Sequence, residues 1–195
     1  IEEVVRRELA KHGDISSLPI EVVHASEVVE MDEHTSAVRT KKDSSLMVGM
    51  RLVKEGKGDA FASAGNSGAV MAAALFGLGR IKGVERPALG SIYPASPEPC
   101  LLVDIGANAD CKPEYLVQFA RMGSAYARLM FGLPNPKVGI VSNGEEADKG
   151  SMLIRETYPL LKTSGLNFVG NVEGKDIGKG SANVVVTDGL VGNVI

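Results

Sequence analysis

Four short stretches of this chain combine the residue types that can hold an anion or polarise a carbonyl: Ala64-Gly-Asn-Ser-Gly68, Asp104-Ile-Gly-Ala-Asn108, Ser142-Asn-Gly-Glu-Glu146 and Thr187-Asp-Gly-Leu-Val-Gly-Asn193. Glycine lets backbone approach a ligand closely, Asn and Ser supply neutral donors, and a helix starting after such a turn offers free N–H groups to an anion. Any one stretch taken alone reads more readily as an ordinary turn or helix cap. Their recurrence after apolar runs of strand length points to a phosphate or phosphoryl site. Asn66, Ser67, Gly68, Asp104, Gly106, Asn108, Asn143, Gly144, Glu145, Asp188 and Gly189 are its candidate ligands.

Three residues stand out. Asp104 ends an apolar strand, where a carboxylate is costly to desolvate unless paired or put to use. Lys149 follows Glu145, Glu146 and Asp148 just before an expected helix, where a cation opposes the macrodipole and so is expected to face a bound anion. Asn193, closing what reads as a glycine-rich loop after Asp188, is placed to donate to a thioester carbonyl or a phosphate oxygen. Cys100 and Cys111 have no His near in sequence, since His12, His24 and His34 all fall in the first 34 residues, so neither reads as a paired nucleophile. The histidines lack metal-ligand spacing, and neither a Walker Gly-Lys-Ser/Thr nor a helix-opening G-x-G-x-x-G is present. No metal and no cofactor is expected.

The elements that must position these residues alternate in type. Strands are expected at Ile20–His24, Asp59–Ser63, Ala88–Ile92, Cys100–Asp104, Lys137–Val141, Asn167–Gly170 and Asn183–Thr187. Helices are expected over Ile1–Ala10, Ala37–Glu55, Ser67–Gly79 with Ser67 as N-cap, Pro113–Phe131, and Ser151–Lys162. Gly83–Pro99, with four prolines, reads as loop with a hairpin or edge strand. This is the pattern of a doubly wound, mostly parallel sheet covered on both faces, with ligands outside the carboxyl ends of its strands.

The 195 residues, 44% hydrophobic and 23% charged, are enough for one core, and a single α/β domain over 1–195 is expected. A net charge of −3 disfavours non-specific nucleic-acid binding. Two cysteines do not make a disulfide framework, and the longest apolar run, Ala69–Gly79, is far short of a bilayer span, so a cytoplasmic location is expected. Both ends read as cuts through a longer fold.

Five segments resemble, in order and register, those of the PlsX family of phosphate acyltransferases. They are Val38-Arg-Thr-Lys-Lys-Asp-Ser-Ser45, Ala62-Ser-Ala-Gly-Asn-Ser-Gly-Ala69, Leu102-Val-Asp-Ile-Gly-Ala-Asn108, Asn143-Gly-Glu-Glu-Ala-Asp-Lys-Gly150 and Thr187-Asp-Gly-Leu-Val-Gly-Asn193. The resemblance implies a three-layer α/β/α sandwich like phosphotransacetylases and the isopropylmalate dehydrogenase group. It also implies that an opening Asp-x-x-Gly-Gly-Asp segment and later helices are missing from the ends. The implied reaction moves an acyl group from acyl-carrier protein to inorganic phosphate, and the acyl phosphate is then used by an acyl-phosphate:glycerol-3-phosphate acyltransferase in phospholipid synthesis. Lys149 and Asn193 are then expected to orient phosphate and stabilise the oxyanion, with Asp104 and Asp188 orienting their neighbours. Homodimers are implied, as is peripheral association with the inner face of the membrane through a region beyond Ile195. Arg39, Lys41, Lys42, Arg51, Lys54 and Lys57 are candidates for docking the acidic carrier protein. A phosphotransacetylase acting on acetyl coenzyme A and a non-catalytic lipid-synthesis scaffold are the alternatives; a related NAD-linked dehydrogenase is disfavoured by the missing dinucleotide fingerprint.

Overall fold

The all-apolar runs Cys100–Val103 (β2) and Val184–Val186 (β5) show no alternation of polar and apolar residues, the mark of strands covered on both faces. In the computed structural model of the chain, which describes residues 2–13 and 17–195, every residue of both strands is buried. With Gly90–Tyr93 (β1), Val138–Val141 (β3) and Phe168–Val172 (β4) they form a five-stranded sheet in the order β1-β2-β5-β3-β4. The β1–β2 pair is antiparallel and the other pairs are parallel, so β1 is the expected edge strand of the proline-rich segment. This mostly parallel, helix-covered sheet is the fold class expected.

Helices α5, Pro113–Met130, and α6, Met152–Lys162, supply one layer. Proline at the start of α5 needs no N–H partner there, and Gly132, at φ +68, ends the helix. Leu116, Phe119 and Ala120 of α5, with Ile154 and Leu161 of α6, bury against Val103, Val138, Ile140, Val184 and Val186. Burying a side chain such as Phe119 stabilises by roughly 1.5–3 kcal/mol. Leu102, Val185 and Val172 face the opposite side, under Ile177 of the short α7, Gly174–Ile177. A final helix, α8, occupies Gly189–Val194 where a loop was expected, because Asp188 Oδ1 accepts the N–H groups of Leu190 and Val191.

The chain forms two compact units, Ile1–Ile81 and Lys82–Ile195, and the sheet lies wholly in the second. The first unit carries α1 (Glu2–Leu9), a 3-10 turn (Ala10–His12), α2 (Ala37–Thr40), α3 (Ser45–Lys54) and α4 (Ser67–Gly77). Its core is Val29, Val38, Leu46, Met50, Ala69 and Ala73. The strands expected at Ile20–His24 and Asp59–Ser63 do not form. An apolar run becomes a strand only beside another, and the pairing found in the described part of this unit is a lone bridge, Glu27 to Ser44. Phe61 instead packs under α3, its ring filling the space a side chain at Gly49 would need. The single helix expected over Ala37–Glu55 is two. Asp43 accepts from the N–H and hydroxyl of Ser26 (2.9 and 2.6 Å), and Ser44 caps α3, which holds the intervening turn out of helix. Asn66, not Ser67, caps α4.

Candidate anion-binding site

Val186 pairs with Val103 on one side and Ile140 on the other, so the carboxyl ends of β2, β5 and β3 lie side by side. Asp104, Thr187 and Ser142 therefore open neighbouring turns. After β3 the chain enters α6 on the Phe119 face; after β5 it enters α8, whose Gly192 and Asn193 share a cavity with Leu102 and Tyr93 of the opposite face. Connections that leave adjacent strands for opposite faces open a crevice between them, the common ligand position in such sheets. Here it is a cleft of about 490 Å³ walled by Val141, Ser142, Asn143, Gly150, Ser151, Ile154, Thr187, Asp188 and Val191.

The cleft is rich in donors. Ser151 caps α6 by accepting the Ile154 N–H (3.4 Å), and the first-turn N–H groups of Met152 and Leu153 have no carbonyl of their own helix behind them. Thr187 is 1% exposed and its hydroxyl has no partner; the hydroxyl of Ser142 is also buried and unpartnered. Asn143 is exposed at the rim. Lys149 is an exposed residue beside Gly150 of the cleft wall. Its stem lies over buried Gly144, where an added Cβ would meet Lys149 Cγ at 2.9 Å and Glu146 Oε2 at 3.0 Å. Glycine at 144 is thus what lets Lys149 fold back along its own loop.

Asp104 is fully buried. Its Oδ1 accepts from the N–H groups of Leu89, Gly106 and Ala107 (3.0, 3.2 and 3.0 Å), and its Oδ2 from the N–H and side-chain amide of Asn108 (both 2.8 Å). Asn108 gives its other amide hydrogen to the Pro87 carbonyl (2.8 Å). Both residues are therefore spent inside the fold. Gly189 donates to the Asn108 carbonyl at 2.8 Å, and a Cβ on Gly189 or Gly192 would collide with the backbone of Asn108 or Asp104, so α8 can lie directly on this turn. Asn193 stands on the other flank of α8 beside Gly106, opening on the second cavity, about 240 Å³, with Ser91, Tyr93, Leu102 and Ile105. The structure thus puts Asn143 and Asp188 in the cleft wall, leaves Gly144 and Lys149 in the loop between the wall residues Asn143 and Gly150, and sets Asn193 in the second cavity.

Asn66, Ser67 and Gly68 belong to the first unit. The Asn66 amide donates to the carbonyls of Met31 and Glu33 (3.1 and 3.4 Å) and its oxygen accepts from Ala69, leaving Ser67 exposed without such ties. Of the basic residues there, Arg39 stacks on Phe76 at 4.5 Å, Lys41 binds Glu33 at 2.6 Å and Lys57 binds Glu55 at 2.7 Å, while Lys42, Arg51 and Lys54 are the remaining candidates. In the second unit Glu145, Glu173 and Asp176 bring carboxylate oxygens within 4.8 Å of one another, but Glu173 is paired with Lys175 (3.1 Å) and Asp176 with Lys179 (2.7 Å).

The family model described as "Fatty acid synthesis protein" matches residues 2–195. The chain belongs to that family. Proteins curated as phosphate acyltransferase are similar along nearly all of it. The Geobacter protein is 56% identical over 98% of the chain, and that of Myxococcus xanthus is 58% identical over 90%. The chain spans about half the length of these relatives, 54% and 51%. These findings bear out the PlsX resemblance. Among solved structures, phosphotransacetylases of Staphylococcus aureus and Streptococcus pyogenes align over the whole chain and about 70% of their own (TM-scores 0.66 and 0.69), at 20% and 18% identity, a likeness of fold.

Within this fatty acid synthesis protein fold, thiol chemistry at neutral pH is disfavoured. Burial, then the charges of Asp188, Asp104 and Asp110, push the Cys111 thiol up to about 11, and burial does the same to Cys100. Sequence reasoning singled out amides, carboxylates, glycines, Lys149 and Ser67, and did not name Ser142 or Thr187 as candidates. The available signal was a hydroxyl residue directly after two of the apolar strands, β3 and β5, at positions that line the cleft.

Proposed function

We propose that the full-length protein transfers a fatty acyl group from the thioester of acyl-carrier protein to inorganic phosphate. A phosphate oxygen attacks the thioester carbonyl, the C–S bond breaks, and the products are acyl phosphate and the carrier's free thiol. The observation that carries this reading is the 51–58% identity to phosphate acyltransferases, in alignments that cover 90% or more of the chain. The geometry supports it further: a cleft of donors at the sheet edge with a lysine beside it suits an oxyanion that must be held as a nucleophile. In this reading Lys149 and the cleft residues Asn143 and Asp188 position phosphate, and Asn193 polarises the thioester from the other flank of α8. Asp104, Gly106, Asn108, Gly144 and Gly189 shape the turns, Glu145 belongs to the loop that carries Lys149, and Asn66, Ser67 and Gly68 form the capped start of α4 in the first unit.

The wider setting belongs to the same proposal: a cytoplasmic homodimer, peripheral at the inner face of the membrane, passing its product to an acyl-phosphate:glycerol-3-phosphate acyltransferase. No helix among the described residues is long and apolar enough to cross a membrane. The deciding experiment is phosphate-dependent thiol release by the full-length protein from palmitoyl-acyl-carrier protein, run beside acetyl coenzyme A. Release from the carrier substrate is expected. Release only from coenzyme A replaces this reading with a phosphotransacetylase, and release from neither points to a scaffold.

A further inference from the structure

Four buried side-chain polar atoms lack a partner among the described residues, and two of them are the hydroxyls of Ser142 and Thr187, residues that line one cleft. A buried hydroxyl without a partner costs free energy that a bound acceptor would return. The two stand at the ends of adjacent strands, β3 and β5. The start of α6, an 11-residue helix whose first N–H groups and dipole favour negative charge, lines the same cleft through Ser151 and Ile154.

We propose that Ser142 and Thr187 are the direct hydroxyl donors to a tetrahedral oxyanion in this cleft, completed by the first turn of α6; resting on the reading above, the oxyanion is the attacking phosphate. Asp188 sets the selectivity. Its carboxylate, already accepting from Leu190 and Val191, meets the ligand as an acceptor, so an oxyanion that retains a proton fits beside it and fully ionised sulfate does not.

The test uses the full-length protein and the variants Ser142→Ala, Thr187→Val and Thr187→Ser. Thr187→Val keeps shape and removes the donor; Thr187→Ser keeps the donor. The first reading is the melting temperature with and without inorganic phosphate, which does not depend on turnover. Phosphate is expected to raise it in wild type and in Thr187→Ser and to have little effect in Ser142→Ala and Thr187→Val, while sulfate at equal ionic strength gives no rise. The second is the split of Michaelis constants: roughly tenfold or more weaker for phosphate in the two donor-less variants, with that for acyl-carrier protein unchanged. Wild type insensitive to phosphate, equal protection by sulfate, or unchanged phosphate dependence in both donor-less variants would overturn the proposal. Phosphate protection lost in those variants while wild type releases no thiol would keep the subsite and remove the acyl-transfer reading.

Discussion

Two neighbouring strand ends in the second unit use polar residues in opposite ways. After β2, the Asp104 carboxylate accepts five hydrogen bonds and Asn108 gives away both amide hydrogens, so neither that carboxylate nor those N–H groups are left to meet a ligand. After β3 and β5, the hydroxyls of Ser142 and Thr187 are also buried yet unpaired, and both residues line a cleft. A saturated buried carboxylate holds its turn together; an unsaturated hydroxyl on a cleft-lining residue still has a hydrogen bond to give, which is the basis of the proposed oxyanion subsite. The difference separates residues that the sequence alone presents as one class.

The strongest way to break this comparison is Asp104→Ala. It strands four backbone N–H groups and an amide in the interior, so a loss of at least about 3 kcal/mol in urea unfolding of the full-length protein is expected. A loss below about 1 kcal/mol would mean the turn holds itself and Asp104 is free for chemistry. Lys149→Ala tests the other side. The residue is exposed, so stability should stay within about 0.5 kcal/mol, while thiol release falls by about a hundredfold or more if its charge meets the reacting phosphate. Near-wild-type turnover would move it to the solvated rim.

How far the sequence could be read follows the same line. The β2, β3 and β5 strands were legible because continuous apolar runs at these lengths have few other uses, and α5 because Pro113 and Gly132 bracket an amphipathic stretch. Ile20–His24 and Asp59–Ser63 misled because strand formation depends on a partner elsewhere in the chain, which no local pattern contains. Asp188 was seen as a site residue, but its capping of α8 was hidden by two glycines that read as loop; they are there because α8 lies against the Asp104 turn. The turns after β2, β3 and β5 lie where they were expected, whereas Ala64–Gly68 follows no strand. Which of their side chains are already committed is a property of the folded contacts alone.

The first unit supplies a milder check. Asn66 resembles Asn108 in having its amide consumed, so Asn66→Ala should act on stability, by about 1–2 kcal/mol through lost capping and two carbonyl contacts, and leave the phosphate Michaelis constant alone. A change in that constant without loss of stability would place Asn66 with Ser142 and Thr187 instead.

The smallest effect expected concerns Cys111, which donates weakly to the Asn108 carbonyl (3.4 Å) in the saturated turn. Burial raises its thiol to about 11, with Asp188 and Asp104 adding to the rise. The native state then holds this proton more tightly than the unfolded chain does. Its contribution to stability is complete below the ordinary thiol value near 9 and is lost as pH rises through about 11, so stability should fall over that window. Alkylation of Cys111 by iodoacetamide at about pH 8 should accordingly be slower than that of a free thiol, because little thiolate is present. Asp188→Asn removes one of the repelling charges and should speed it modestly. Cys111 reacting as fast as a free thiol under those conditions would show that the turn after β2 is open to solvent and far less closed than its hydrogen bonds imply.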